Sequence, residues 1–189
     1  MDESPKDRRP IALLGMRGAG KTTVGRVLAR RLSRPFVDLD LVTRVFAHRA
    51  GMRASDAGEL LRRVGRARFR DLEAAALRSI LEPGDSVVLA TGGGVVERED
   101  DRVWLARAAR NVFLSVPVRL LEERIRADPA DRPALDATDP VLEVPLVLAR
   151  REALYRSLAE SVIECGQDPP EAIAERILAA LGYLARPLG

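Results

Sequence analysis

Thiol and imidazole chemistry are nearly missing from this 189-residue chain, which carries one cysteine, Cys165, and one histidine, His48. A lone Cys closes no internal disulfide and a lone His builds no His-rich metal site, so both read as packing or surface residues. No run of 18 or more apolar residues occurs, and residues 1–10 are charged and lack the apolar centre of a signal peptide. The expectation is a cytoplasmic protein with no membrane segment. A large excess of one charge is missing too: 31 Lys and Arg stand against 28 Asp and Glu, a formal +3. The basic balance is therefore a modest surplus and not a basic tract, which gives nucleic-acid binding little support. Arg greatly outnumbers Lys, and Arg is the side chain suited to two-pronged recognition of carboxylate and phosphate.

What is present is the balance of a folded domain, with 47% apolar and 31% charged residues. The length fits one domain that needs neither disulfide nor structural metal. Ile11-Ala12-Leu13-Leu14 is a short apolar run that stops at Gly15, and a helical pattern with Val24, Val27, Leu28 and Leu32 on one face begins near Gly20. Further strands are expected at 35–38, 86–90, 111–116 and 161–165, with helices between. Strands that alternate with helices and are apolar along their length imply a parallel sheet covered on both faces. The expected fold is α/β, a three-layer α/β/α sandwich on a central parallel sheet of about five strands. Two successive helical segments, 55–64 and 66–81, exceed what a crossover needs and suggest a helical insertion that carries substrate. Residues 127–140 are rich in Asp and Pro without apolar period and read as a mobile surface loop containing Arg132. A last helix is expected over 170–181, starting with Pro where Pro is tolerated.

Residues 15–22, Gly-Met-Arg-Gly-Ala-Gly-Lys-Thr, fit G-x-x-x-x-G-K-[ST] between an apolar strand and an amphipathic helix. Each position has a physical use. Glycines at 15, 18 and 20 let backbone N–H groups turn inward around phosphate oxygens, and the helix N-terminus that follows adds partial positive charge. Lys21 reaches the β- and γ-phosphates, and the Thr22 hydroxyl can ligate Mg²⁺. ATP or GTP is the expected ligand, held by Gly15, Gly18, Ala19, Gly20, Lys21, Thr22 and Thr23. The short chain favours a kinase for a small acceptor over a motor or switch. Phosphoryl transfer needs charge neutralised on the moving group, and Arg132, in a Pro-bounded loop, has the attributes of a lid residue.

Taken together, this P-loop, Asp38-Leu39-Asp40 after the second strand, Gly92-Gly93-Gly94 after the third, Phe69-Arg70-Asp71-Leu72-Glu73, Arg132-Pro133 and Arg151-Glu152-Ala153-Leu154-Tyr155 resemble the shikimate kinase family over roughly residues 11–181. The resemblance implies a P-loop NTPase fold of the nucleoside monophosphate kinase type, with a substrate-binding helical insertion at about 40–73 and a lid at about 127–140. It implies ATP and Mg²⁺ as cofactors and shikimate as the small-molecule partner. By the same resemblance Asp38 lies near Mg²⁺, Asp40 takes the substrate diol, Arg70 and Arg151 hold the substrate carboxylate, and the glycines at 92–94 let a ring approach the backbone. From spacing alone, two carboxylates two apart in an extended segment face one way, the lesser alternative being that Asp40 caps the helix that follows. Arg150 could replace Arg151 as the ligand, and Glu73 either fixes the Arg70 guanidinium or makes an ordinary ion pair. Arg124 is a candidate for stacking near adenine. The lid reads Arg132-Pro133-Ala134-Leu135 where the family more often has Arg-Pro-Leu-Leu. The catalytic set is then Lys21, Asp40 and Arg132 in a monomer, with no nucleic-acid or membrane partner. A gluconate kinase-like enzyme, or a regulator that binds nucleotide and ligand without turnover, is the alternative.

Overall fold

The computed structural model describes residues 7–82, 85–127 and 140–183. Five strands, Ile11–Leu14 (β1), Phe36–Asp38 (β2), Val88–Ala90 (β3), Arg110–Ser115 (β4) and Ser161–Glu164 (β5), form one sheet in the order β2-β3-β1-β4-β5. Every neighbouring pair is parallel. Parallel strands need long crossovers, and among the described residues seven helices flank the sheet: Lys21–Leu32 (α1), Leu39–Arg49 (α2), Ala57–Leu81 (α3), Glu99–Ala108 (α4), Val118–Ala127 (α5), Val144–Leu158 (α6) and Pro170–Ala180 (α7). Helix α1 packs on α7, and α4 packs on α3 and α6, the layered α/β arrangement expected from the alternating pattern. Strand β1 is buried along its whole length, as are Val88, Leu89 and Ala90 of β3, which is why these segments read as unbroken apolar runs.

The sheet order places the site. Strand β1 lies between β3 and β4: the chain leaves it toward β2 on one side and later crosses from β3 to β4 on the other, and this reversal of direction opens a crevice beyond the carboxyl ends of the strands. Asp38 and Leu13 both stand level with Ala90 in register. The chain therefore leaves β1, β2 and β3 at one edge, bringing Gly15, the acidic pair and the triple glycine together. Thr91 fastens that edge: its hydroxyl donates to the carbonyl of Leu13 at 2.8 Å, and its N–H donates to the same carbonyl at 3.2 Å.

Helices α2 and α3 share a small apolar cluster of their own, Ala47, Leu60, Phe69 and Leu72, apart from the main core. The two helical segments expected over 55–64 and 66–81 are both present within Ala57–Leu81 (α3), on either side of Gly65, whose φ of 77° and ψ of 164° are non-helical. Only glycine adopts that conformation without strain. The strands start or end one or two residues from their expected limits, and α7 ends at Ala180. Among the described residues no helix is long and apolar enough to cross a membrane.

Candidate active site

The turn after β1 is made by left-handed glycines: φ is 140° at Gly15, 80° at Gly18 and 87° at Gly20. At Gly15 a side chain is excluded twice, since a Cβ there would also stand 2.9 Å from the carbonyl oxygen of Leu114. Gly20 caps α1 with no side-chain bond to the first amides, so those N–H groups are left to a ligand. The Lys21 ammonium folds over the turn and donates to the carbonyls of Gly15 and Met16, each at 2.8 Å. The Thr22 hydroxyl donates to Asp38 Oδ2 at 3.0 Å. These hard oxygens fit Mg²⁺, a cation that takes one or two protein oxygens and fills its remaining positions from water and phosphate. Among the described residues no three His, Cys, Asp or Glu side chains converge into an all-protein cage.

From this turn a cavity of about 780 Å³ runs past Asp38 and Asp40 to Arg70, the glycines at 92–94 and Arg151. Gly18, Ala19, Gly20, Lys21, Thr22, Thr23 and Arg124 line the same cavity. Arg124 donates to the carbonyls of Gly18 at 3.2 Å and Gly166 at 3.1 Å, clamping the phosphate turn to the loop after β5. Arg151 is buried and lines the cavity whereas Arg150 is exposed, which separates the two candidates. Arg132 and nearly all of the expected lid lie outside the described residues.

The acidic pair departs from the extended segment expected for it. Asp38 ends β2 and caps α2, its Oδ1 accepting the N–H of Asp40 at 3.0 Å, while Asp40 sits in the first helical turn. The cap thus belongs to Asp38 and not to Asp40. The reason is local: a residue with an extended backbone just before a helix can bend its carboxylate onto the amide two residues on. Both carboxylates still reach the cavity.

Arg70 lies against the triple glycine so closely that a Cβ on Gly94 would fall 1.6 Å from its Nη2. Two acids hold it. Its Nη1 donates to Glu73 at 2.6 Å, one helical turn away, and its Nε and Nη2 donate to Glu97 Oε2 at 3.2 and 3.0 Å. The other oxygen of Glu97 accepts from Arg151 Nε at 3.0 Å and from its Nη2. Burial pushes the Glu73 carboxyl up to about 7, against the pull of Arg70 and with the push of nearby Asp40. Burial also opposes ionisation of Glu97, but Arg151 and Arg70 outweigh it, and its pKa is lowered. Of the two readings of Glu73, the structure shows the buried partner that fixes the Arg70 guanidinium and not a surface ion pair.

Two members of this arrangement had no assigned part in the sequence. Glu97, in the 3-10 turn Val95–Glu97, gave no signal beyond being an acid just after the triple glycine. Tyr155 could have been found, because it follows Arg151 by four residues and so shares its helix face. Its hydroxyl donates to the carbonyl of Gly93, and its ring stacks on Phe113 with centroids 4.9 Å apart. Burial raises its pKa to about 12, so it remains a neutral donor.

A glycine-rich turn at a helix N-terminus, a hydroxyl and carboxylate that fit Mg²⁺, a second acid and two guanidiniums within one cavity suit phosphoryl transfer to an acidic hydroxyl compound. Comparisons with known proteins agree. The family model described as shikimate kinase matches residues 17–182. Shikimate kinase 2 of Yersinia enterocolitica is 38% identical over 170 residues, covering 89% of this chain and 92% of that protein. The structure of shikimate kinase from Acinetobacter baumannii in complex with shikimate superposes with a TM-score of 0.82 at 31% identity, covering 96% of this chain and 97% of that one. Shikimate kinase from Aquifex aeolicus superposes with a TM-score of 0.73 at 31% identity, covering 92% of this chain and 96% of that one. The sheet, the phosphate turn and these likenesses together place the chain in the shikimate kinase family of ATP-dependent kinases.

Proposed function

We propose that the chain transfers the γ-phosphoryl group of ATP to the 3-hydroxyl of shikimate, giving shikimate 3-phosphate and ADP for aromatic amino-acid biosynthesis. The observation that carries this reading is the meeting of Arg70 and Arg151, 81 positions apart in sequence (151 minus 70), with Asp40 in the cavity that begins at the phosphate turn. Two guanidiniums suit a carboxylate, and an acid beside them suits a hydroxyl. Gly15, Gly18, Ala19, Gly20, Lys21, Thr22 and Thr23 hold the phosphates, Arg124 serves the base end, and Gly92, Gly93 and Gly94 let the ring lie close to the backbone. Thr22 and Asp38 would hold Mg²⁺, which when bound neutralises phosphate charge.

In the reaction the acceptor oxygen forms a bond to the γ-phosphorus as the bond from that phosphorus to the bridging oxygen of ADP breaks. Asp40 orients the hydroxyl and takes its proton. Lys21, and by family resemblance Arg132, offset the charge spread over the transferred group. The chain acts as one catalytic unit with a core over about 11–181, an acceptor-binding segment over 40–73 and a lid over 127–140. It works as a monomer in the cytoplasm.

The test is mass spectrometry of shikimate incubated with the protein, ATP and Mg²⁺, with gluconate and nucleoside monophosphates in parallel. Phosphorylated shikimate with matching ADP is expected. Phosphorylation of gluconate in place of shikimate, or tight binding of shikimate with no product, refutes the assignment.

A further inference from the structure

We infer that Glu97 is an internal carboxylate that holds the acceptor-binding guanidiniums before substrate arrives, and that the acid group of an acceptor must displace it to bind. The inference rests on the proposed function, because it concerns the same two arginines, and it adds a residue to which neither motif nor family resemblance gave a role.

The geometry has three parts. First, one oxygen of Glu97 accepts from Nε and Nη2 of Arg70 and the other from Nε and Nη2 of Arg151. A single carboxylate therefore fills a fork of each guanidinium, and the gap between the two arginines is one carboxylate wide. That is the shape an acidic acceptor presents. Second, the guanidiniums are already engaged. Both are paired with the Glu97 and Glu73 carboxyls, so an arriving anion meets occupied forks until one acid withdraws. Third, only one of these acids is able to withdraw. The Glu73 side chain is 1% exposed, whereas that of Glu97 is 29% exposed at the end of a three-residue turn. Glu97 can turn into water and recover its hydration; Glu73 cannot move without leaving a buried charge.

A neutral acceptor of similar shape has nothing to offer the forks and leaves Glu97 in place. An acceptor with a carboxylate exchanges one ion pair for another. Glu97 thereby lowers affinity for the acidic acceptor and lowers the occupancy of the site by weaker anions.

The experiment measures binding of shikimate, of its methyl ester and of cyclohex-1-enecarboxylate by calorimetry. The proteins are the full-length wild type, Glu97→Gln and Glu97→Asp, with thermal melts to confirm folding. Glu97→Gln is expected to bind shikimate and the plain ring carboxylate roughly tenfold tighter, with the gain shrinking in high salt, and to bind the methyl ester as the wild type does. Glu97→Asp keeps the charge but is too short to reach both forks, so it moves the same way by less. In steady-state assays the gain appears in the KM for shikimate and not in the KM for ATP. Equal or weaker binding of both carboxylates by the two folded variants overturns the inference and makes Glu97 a support for the arginines. Phosphorylation of shikimate by the wild type is scored separately. Its absence, with tighter carboxylate binding by Glu97→Gln, removes the acceptor assignment and leaves the inference standing.

Discussion

Gly94→Ala isolates the contact between the triple glycine and Arg70. Gly94 has φ of −99° and ψ of 6°, a conformation open to alanine, so the substitution strains the side chain opposite and not its own backbone. The added methyl would stand 1.6 Å from Arg70 Nη2, 2.4 Å from Cζ and 2.8 Å from Nη1. All three lie well inside contact distance, so the whole guanidinium must move. Displacement breaks its bonds to Glu97 and, on the proposed reading, misaligns it for the acid group of the acceptor. A hydrogen bond to a charged group contributes about 1.5–3 kcal/mol. Loss of one such interaction at the acceptor lowers kcat/KM for shikimate by roughly 10- to 150-fold, since 1.4 kcal/mol is a factor of ten. The KM for ATP should not follow, because the phosphate turn is untouched. The assay is coupled ADP release with shikimate varied at saturating ATP, repeated for Arg70→Ala and for the double variant. If the methyl acts through Arg70, it adds little to Arg70→Ala. Wild-type kcat/KM in Gly94→Ala, or a full additive loss in the double variant, refutes the reasoning.

Lys21→Met removes the ammonium that bridges Gly15 and Met16, and turnover should vanish while calorimetry still detects a folded protein; measurable kcat above a tenth of wild type contradicts the assigned role. Glu73, with its carboxyl pushed up to about 7 from 4.5, keeps its proton in the folded protein over a range where the unfolded chain has lost it. Its effect on stability therefore becomes unfavourable as pH rises from about 4.5 to 7, and Glu73→Gln should gain on the wild type across that window by up to about 3 kcal/mol in urea melts; a pH-independent difference rules this out. Tyr155→Phe deletes the bond to the Gly93 carbonyl and should cost about 1 kcal/mol, or roughly 2–4 °C in Tm, and an unchanged Tm shows that water replaces the hydroxyl.

The phosphate turn was legible because its motif and its flanks are local: an apolar strand, glycines that need left-handed φ, and an amphipathic helix lie within about twenty residues. The division between segments 55–64 and 66–81 was legible too, and Gly65 stands at it with a non-helical backbone. The acidic pair was misread in conformation, since whether Asp38-Leu39-Asp40 continues a strand or starts a helix depends on a cap that one side-chain bond decides. The sheet order could not be read from the sequence, because parallel pairings such as Leu13 with Ala90 join residues far apart. Glu97 was invisible for a related reason. Nothing near it in sequence marks it, and its partners arrive from α3 and α6.

The Lys21 ammonium has a resting place on the carbonyls of its own loop. On the proposed reading, a nucleotide entering that loop would exchange these bonds for bonds to its phosphates, so the net gain on entry would be moderate. The same exchange runs backwards after transfer. On the proposed reading, the two backbone oxygens would take the ammonium again as ADP departs, and no unmatched charge would be left behind.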